Sequence, residues 1–186
     1  MTLNGIQRVR TPRTRAARIR RGQKNALALL GLAALLAAAS LQAPALAQEN
    51  LILNPGFEEG IDPETGLPAG WNLFSGEAGV HLVVMPDAEG ENHVFTIRDD
   101  STSRGYGIRS VILPAAPGEN YRATAMVRTE NDGRGYLYLD FWDERRTRIQ
   151  AQTVNTKSED WTRLTAALTA PEGTRWVSVI LYSTST

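Results

Sequence analysis

Residues 121–128 read Tyr121-Arg122-Ala123-Thr124-Ala125-Met126-Val127-Arg128. Because successive side chains of a strand point to opposite faces, Tyr121, Ala123, Ala125 and Val127 share one face and Arg122, Thr124 and Arg128 share the other. One face is apolar and one is wet, which is the pattern of a half-buried strand. The stretch Tyr136-Leu137-Tyr138-Leu139-Asp140-Phe141-Trp142 repeats the alternation, with Leu137, Leu139 and Phe141 in one file and Tyr136, Tyr138, Asp140 and Trp142 in the other. Two more strands are predicted over residues 161–169 and 176–183, the latter with Val177, Val179 and Leu181 facing inward. Working outward, shorter apolar runs predict strands at residues 51–53, 71–74, 80–85, 93–98 and 108–113. Between them lie turn-forming clusters such as Asn54-Pro55-Gly56, Leu67-Pro68-Ala69-Gly70, Asn131-Asp132-Gly133 and Pro171-Glu172-Gly173. Short strands at this spacing predict an all-β fold, a two-sheet β-sandwich or jelly roll.

The first quarter of the chain is of another kind. Residues 1–47 hold eight basic side chains and no acidic one. They include an apolar run over residues 26–41 that is followed by Ala45-Leu46-Ala47. A basic start, a short apolar run and a small-x-small triplet form the pattern of a helical secretory signal peptide, cleaved near Ala47. The expected location is therefore extracellular or periplasmic. Residues 48–186 remain as a single domain with 12 basic against 20 acidic residues, a formal charge of −8. Such a body repels nucleic acid and, once the leader is removed, anionic membrane. With no cysteine in the chain, its stability must come from a core without disulfides.

Signals for catalysis are sparse. A glycoside hydrolase needs two carboxylates flanking the scissile bond. Asp140, Asp143 and Glu144 are available, but Asp143-Glu144-Arg145-Arg146 reads as a charged hairpin turn. There is no Gly-x-Ser-x-Gly elbow, and His81 and His93 lack metal-ligand spacing and read as edge or surface residues. The Gln-x-His file of jelly-roll lyases is absent as well.

Four landmarks occur in a consistent order: Asn50 to Glu58 with its Asn-Pro-Gly turn; Leu67-Pro68-Ala69-Gly70-Trp71; Gly105-Tyr106-Gly107-Ile108-Arg109-Ser110 leading to residues 121–128 and 139–143; and Trp161 to Leu164 with residues 170–182. Together they resemble the CenC-like carbohydrate-binding modules of families four, nine and twenty-two, whose fold is a galactose-binding-like jelly roll. The resemblance implies non-catalytic polysaccharide binding by a secreted module that holds an associated glycan-degrading enzyme on its substrate. It also implies buried tryptophans at Trp71 and Trp161. A structural calcium is implied near the opening turn with Glu58 as a ligand, although a solvated turn acid is an equal reading of Glu58. Family members continue into a final strand beside the opening one. Its absence before Thr186 leads us to expect that the chain is the front part of a longer protein, such as a glycoside hydrolase or polysaccharide lyase. The alternative is a structural or adhesive surface domain that mediates protein contacts.

Sugar binding by a sheet requires flat apolar surfaces for pyranose rings and hydrogen-bonding groups for hydroxyls. Tyr136, Tyr138, Asp140 and Trp142 offer both kinds along one file, and Tyr136, Tyr138 and Trp142 are the first candidates. Arg122, Arg128 and Gln152 are candidates on neighbouring strands, and Trp176 is a weaker one because its parity opposes Val177. Aromatic residues on strands also serve simply as packing.

Overall fold

A computed structural model of the protein describes residues 50–86, 90 and 92–185, together with the backbone of residues 2–9. All described residues belong to one compact unit, and none lies in an α-helix. The expected apolar run and cleavage site, residues 26–47, lie outside the described residues. Residues 2–9, expected as the start of a helical leader, are instead a strand that pairs antiparallel with residues 120–126.

Eleven strands are present among them: β1 (Thr2–Val9), β2 (Trp71–Ser75), β3 (Leu82–Pro86), β4 (His93–Ile97), β5 (Tyr106–Ser110), β6 (Leu113–Pro114), β7 (Asn120–Val127), β8 (Arg134–Trp142), β9 (Arg148–Thr156), β10 (Thr162–Thr169) and β11 (Trp176–Thr184). A six-stranded sheet has the order β2-β5-β11-β8-β9, with β6 pairing onto β11, and a three-stranded sheet has the order β1-β7-β10. All named strand pairs are antiparallel, and β3 with β4 forms a separate two-stranded ribbon. The chain is thus an all-β sandwich.

Alternation places the core. From β7 come Tyr121, Ala123, Ala125 and Val127, and from β10 come Leu164 and Ala166. These pack in one buried cluster with Leu137, Leu139 and Phe141 of β8 and with Val177, Val179 and Leu181 of β11. The four β7 positions are almost fully buried, so the face predicted from period two is the face that meets the core. Tyr121 meets Phe141 edge-on with ring centroids 5.6 Å apart, which joins the two sheets directly.

Residues 51–53 form no strand. They bend, and Asn54 takes over the organisation of the opening turn in a left-handed conformation (φ 48°). Its side chain accepts from the Glu59 N–H (3.0 Å) and donates to the Ala69 carbonyl (3.2 Å), while its own carbonyl accepts from Trp71 Nε1 (3.3 Å). Trp71 is buried as expected and stacks at a tilt against Phe57, 5.4 Å away. Gly70 is required for this approach, since its φ is 80° and a Cβ there would lie 2.8 Å from that of Leu53.

Three further expectations need correction. Trp161 is 41% exposed, because it precedes β10 with the parity opposite to Leu164 and Ala166. The predicted strand 108–113 is split into β5 and β6. Strand β9 has no counterpart among the predicted strands: Arg-Ile-Gln-Ala-Gln-Thr-Val-Asn-Thr has little apolar content because it lies at the sheet edge, where most of its side chains meet water.

Candidate functional site: the outward face of the large sheet

The register of the six-stranded sheet determines which residues share its outward face. Tyr136 lies opposite Tyr182, Tyr138 opposite Ile180, Asp140 opposite Ser178, and Trp142 opposite Trp176. On the other side of β11, Arg109 lies opposite Ile180 and Gly107 opposite Tyr182. On the other side of β8, Thr153 and Asn155 lie opposite Tyr138 and Tyr136, and Arg148 lies opposite Trp142. Four expected residues therefore form one file with Trp176 beside it.

An aromatic cluster covers one half of this face. Tyr182 is 5.7 Å from Phe74, 6.2 Å from Tyr136 and 6.3 Å from Tyr138 between ring centroids, and Tyr136 is 6.0 Å from Tyr138. The three tyrosines are half-buried and Phe74 is exposed, so rings remain open to a ligand while their edges hold one another in place. Tyr182 lies across β5 because that strand has no side chain there. A Cβ at Gly107 would overlap the Leu181 carbonyl and stand 2.9 Å from the Tyr182 ring, and one at Gly105 would stand 2.6 Å from it. The Gly105 N–H donates to the Tyr182 hydroxyl at 3.1 Å. Burial, with Tyr136, Tyr182 and Asp140 nearby, pushes the Tyr138 phenol above its ordinary value, so it remains a hydrogen-bond donor at neutral pH.

The other half is polar. Asp140 has no exposed surface and neither carboxylate oxygen has a hydrogen bond among the described residues. Arg148 Nη1 stands 3.5 Å from its Oδ2 as an ion pair. Burial raises the Asp140 pKa, against the opposing pull of Arg148 and then Arg109. Trp142 donates from Nε1 to Ser178 Oγ (2.9 Å), with the Arg109 guanidinium 5.5 Å over its ring. The Arg146 guanidinium lies 4.8 Å over Trp176, whose Nε1 is buried and has no hydrogen-bond partner among the described residues. Both tryptophans are thus held by cations as well as by the sheet.

Arg122, Arg128 and Gln152 do not belong to this face. Arg122 projects from β7 in the opposite sheet, and Arg128 directly follows that strand; both are exposed. Parity reads one strand's faces correctly but does not say which sheet the strand joins. Gln152 shares the parity of Leu139 and Val154, and its Oε1 accepts from the Ala167 N–H (2.7 Å), tying β9 to β10. Arg128 instead lies 5.3 Å over Trp161 and pairs with Glu130 at 3.6 Å. These residues border a cleft of about 450 Å³ at the end of the sandwich, with Arg98, Asp99 and Asp100 also in its wall. A polymer chain is better matched by an open sheet than by a short cleft of mixed charge.

Glu58 faces different partners from those implied. Its carboxylate accepts from the His93 N–H (2.8 Å) and contacts His93 Nδ1, which fastens the opening turn to β4. Calcium takes six to eight oxygen ligands. No group of three His, Asp or Glu side chains that could hold a metal gathers among the described residues.

Sequence reasoning missed Tyr182, Phe74, Arg109, Arg134 and Arg148. Tyr182 was within reach, since it shares the parity of Trp176. Arg134 was too, since it continues the file of Tyr136 and Tyr138 two residues earlier on β8. Phe74, Arg109 and Arg148 enter the face through cross-strand pairing, which no local pattern records.

No family model and no curated protein matches the chain. Solved structures do. The enzymatically active domain of tailspike protein 4 from bacteriophage CBA120 aligns with a TM-score of 0.50 at 13% identity, over 63% of this chain and 18% of that one. The CBM22-1–GH10 modules of a Clostridium thermocellum endo-1,4-β-D-xylanase, solved with xylohexaose, align at 0.41 and 17% identity over 63% and 26%. A CBM4 structure aligns at 0.37 and 18% identity over 71% and 94%. The chain spans about a fifth to a quarter of the tailspike and xylanase structures. At such identities the likeness to the tailspike domain is one of fold.

Proposed function

We propose that the domain is a non-catalytic module that binds an oligo- or polysaccharide on the outward face of its large sheet. The observation that carries this reading is the contiguous, partly exposed cluster of Phe74, Tyr182, Tyr136 and Tyr138, bordered by hydrogen-bonding side chains. Flat rings with polar neighbours can stack on sugar rings and bond their hydroxyls, and a sheet presents them along a line that a polymer can follow. Affinity follows from several such contacts on one polymer. Exported location is supported by the basic, apolar and small-residue order of residues 1–47. In that setting the module's work is to keep an associated glycan-active protein near its substrate.

Affinity electrophoresis through gels that contain plant and algal polysaccharides tests the reading. At least one polymer should retard the parent protein, and Tyr138→Ala should migrate closer to its polymer-free position. If no polymer retards the parent, the reading fails. A protein-contact domain is the second reading, favoured by the Tyr, Trp and Arg content of this same face, which is also that of interface hot spots.

A further inference from the structure

The charges of the chain are not spread evenly over its surface. The strands of the six-stranded sheet contain three basic residues, Arg109, Arg134 and Arg148, and one acidic residue, Asp140. The remainder of residues 48–186 carries nine basic and 19 acidic residues. One sheet is therefore positive by two charges in a body that is otherwise negative by ten.

All three arginines reach the face that carries the tyrosines. Arg134 lies opposite Thr184 and donates to Asn155 Oδ1 at 3.0 Å; Arg148 lies opposite Trp142; Arg109 lies over Trp142. Arg146, from the turn between β8 and β9, adds a fourth guanidinium above Trp176. The acids of that turn, Asp143 and Glu144, are matched in number by Arg145 and Arg146, and Asp143 Oδ1 is occupied by the Arg145 and Thr147 N–H groups. Asp140, the lone acid of the sheet, is covered, so it presents no carboxylate surface to a ligand. Arg109 Nε is buried and has no hydrogen-bond partner among the described residues, which leaves a cationic donor unsatisfied beside Trp142.

From this placement we infer that the ligand of the face is an anionic polysaccharide, its acidic groups held by Arg134 at one end and by Arg109, Arg146 and Arg148 at the other, with the tyrosines between. This rests on the glycan-binding reading and deepens it by naming the ligand class. Guanidinium is the side chain suited to planar, two-point recognition of carboxylate and to sulfate-like oxygens. The positions of Arg134 and Trp142 are eight residues apart on β8, about 26 Å at the rise of an extended strand. A polymer several residues long can meet both ends, and a single sugar cannot.

The experiment is affinity electrophoresis of the purified protein against polygalacturonate (carboxylate), carrageenan (sulfate) and neutral xylan, at low and high salt. Retardation by either acidic polymer, stronger than by xylan and reduced roughly tenfold in affinity between about 0.05 and 0.5 M salt, is expected, because added salt shortens the range over which charges act. The carboxylate and sulfate arms identify which acidic group is preferred. The double variant Arg134→Gln/Arg146→Gln, at two side chains outside the core, should lose about tenfold in affinity for the acidic polymer. Retardation by xylan alone, or equal retardation by acidic and neutral polymers, overturns the anionic assignment and leaves the glycan reading intact. No retardation by any polymer overturns both.

Discussion

Replacement of Tyr182 by alanine perturbs the point where the aromatic cluster meets the sheet. The ring contacts Phe74, Tyr136 and Tyr138 and rests on the two glycines at β5, while its hydroxyl accepts the Gly105 N–H. Truncating a core aromatic to alanine costs about 3–5 kcal/mol. Each favourable ring pair contributes about 0.5–1.5 kcal/mol beyond its buried area. Because Tyr182 is only half-buried, the expected loss for Tyr182→Ala is about 2–3 kcal/mol. Tyr182→Phe retains the ring contacts and strands the buried Gly105 N–H, a loss of about 1 kcal/mol. Urea unfolding followed by far-UV circular dichroism measures both, with unchanged slopes. In polysaccharide gels Tyr182→Ala should also weaken binding about tenfold, whereas Tyr182→Phe should bind nearly as the parent does. If both variants unfold within about 0.5 kcal/mol of the parent, as ordinary surface substitutions do, the ring does not lie where the structure places it.

Asp140→Asn tests the buried carboxyl. The pKa of Asp140 in the folded state is raised above the ordinary 3.8, so the folded protein binds more protons than the unfolded chain over a window that opens near 3.8 and extends upward. The stability of the parent should therefore fall, relative to that of the Asp140→Asn variant, as pH rises through that window. Urea midpoints of the two proteins measured from about pH 3.5 to about pH 8 check this, and a difference running the other way would contradict it. Gly107→Ala should destabilise by about 2 kcal/mol, since the new methyl overlaps the Leu181 carbonyl and forces β5 from β11; an unchanged melting temperature would refute the close approach. A chain that starts at Gln48 lacks β1 and bares the edge of β7, so it should self-associate with rising concentration in sedimentation velocity, where the full chain does so less. Equal sedimentation of the two at all concentrations would show that β1 does not protect that edge.

Alternation made the central strands legible. In β7, β8 and β11 each step of two residues returns a side chain to the same face, and the buried files Tyr121 to Val127, Leu137 to Phe141 and Val177 to Leu181 follow from that geometry alone. The file of Tyr136, Tyr138, Asp140 and Trp142 was legible for the same reason. Sheet membership was not. Arg122 and Arg128 alternate as cleanly as Tyr136 and Tyr138, yet β7 pairs with β10 and β1, so its wet face looks away from the tyrosines. Strand β9 is hard to read because an edge strand needs few apolar residues, and the position of Gln152 is lost with it. Trp161 shows the converse: Leu164 and Ala166 already implied that it points outward, and a family position argued otherwise. Arg109 and Arg148 reach the site only through pairing between strands distant in sequence, a relation fixed by the packed sheet and by no single segment.

The central claim is that a saccharide meets the outward face of the large sheet. Amide chemical-shift mapping during titration with an oligosaccharide cut from a retarding polymer tests it most directly. The account predicts that the perturbed amides cluster on β5, β8, β9 and β11 around Tyr138, Tyr182 and Arg109. Perturbations gathered instead on β7 and β10, or around Arg128 and Trp161 at the end cleft, would contradict it.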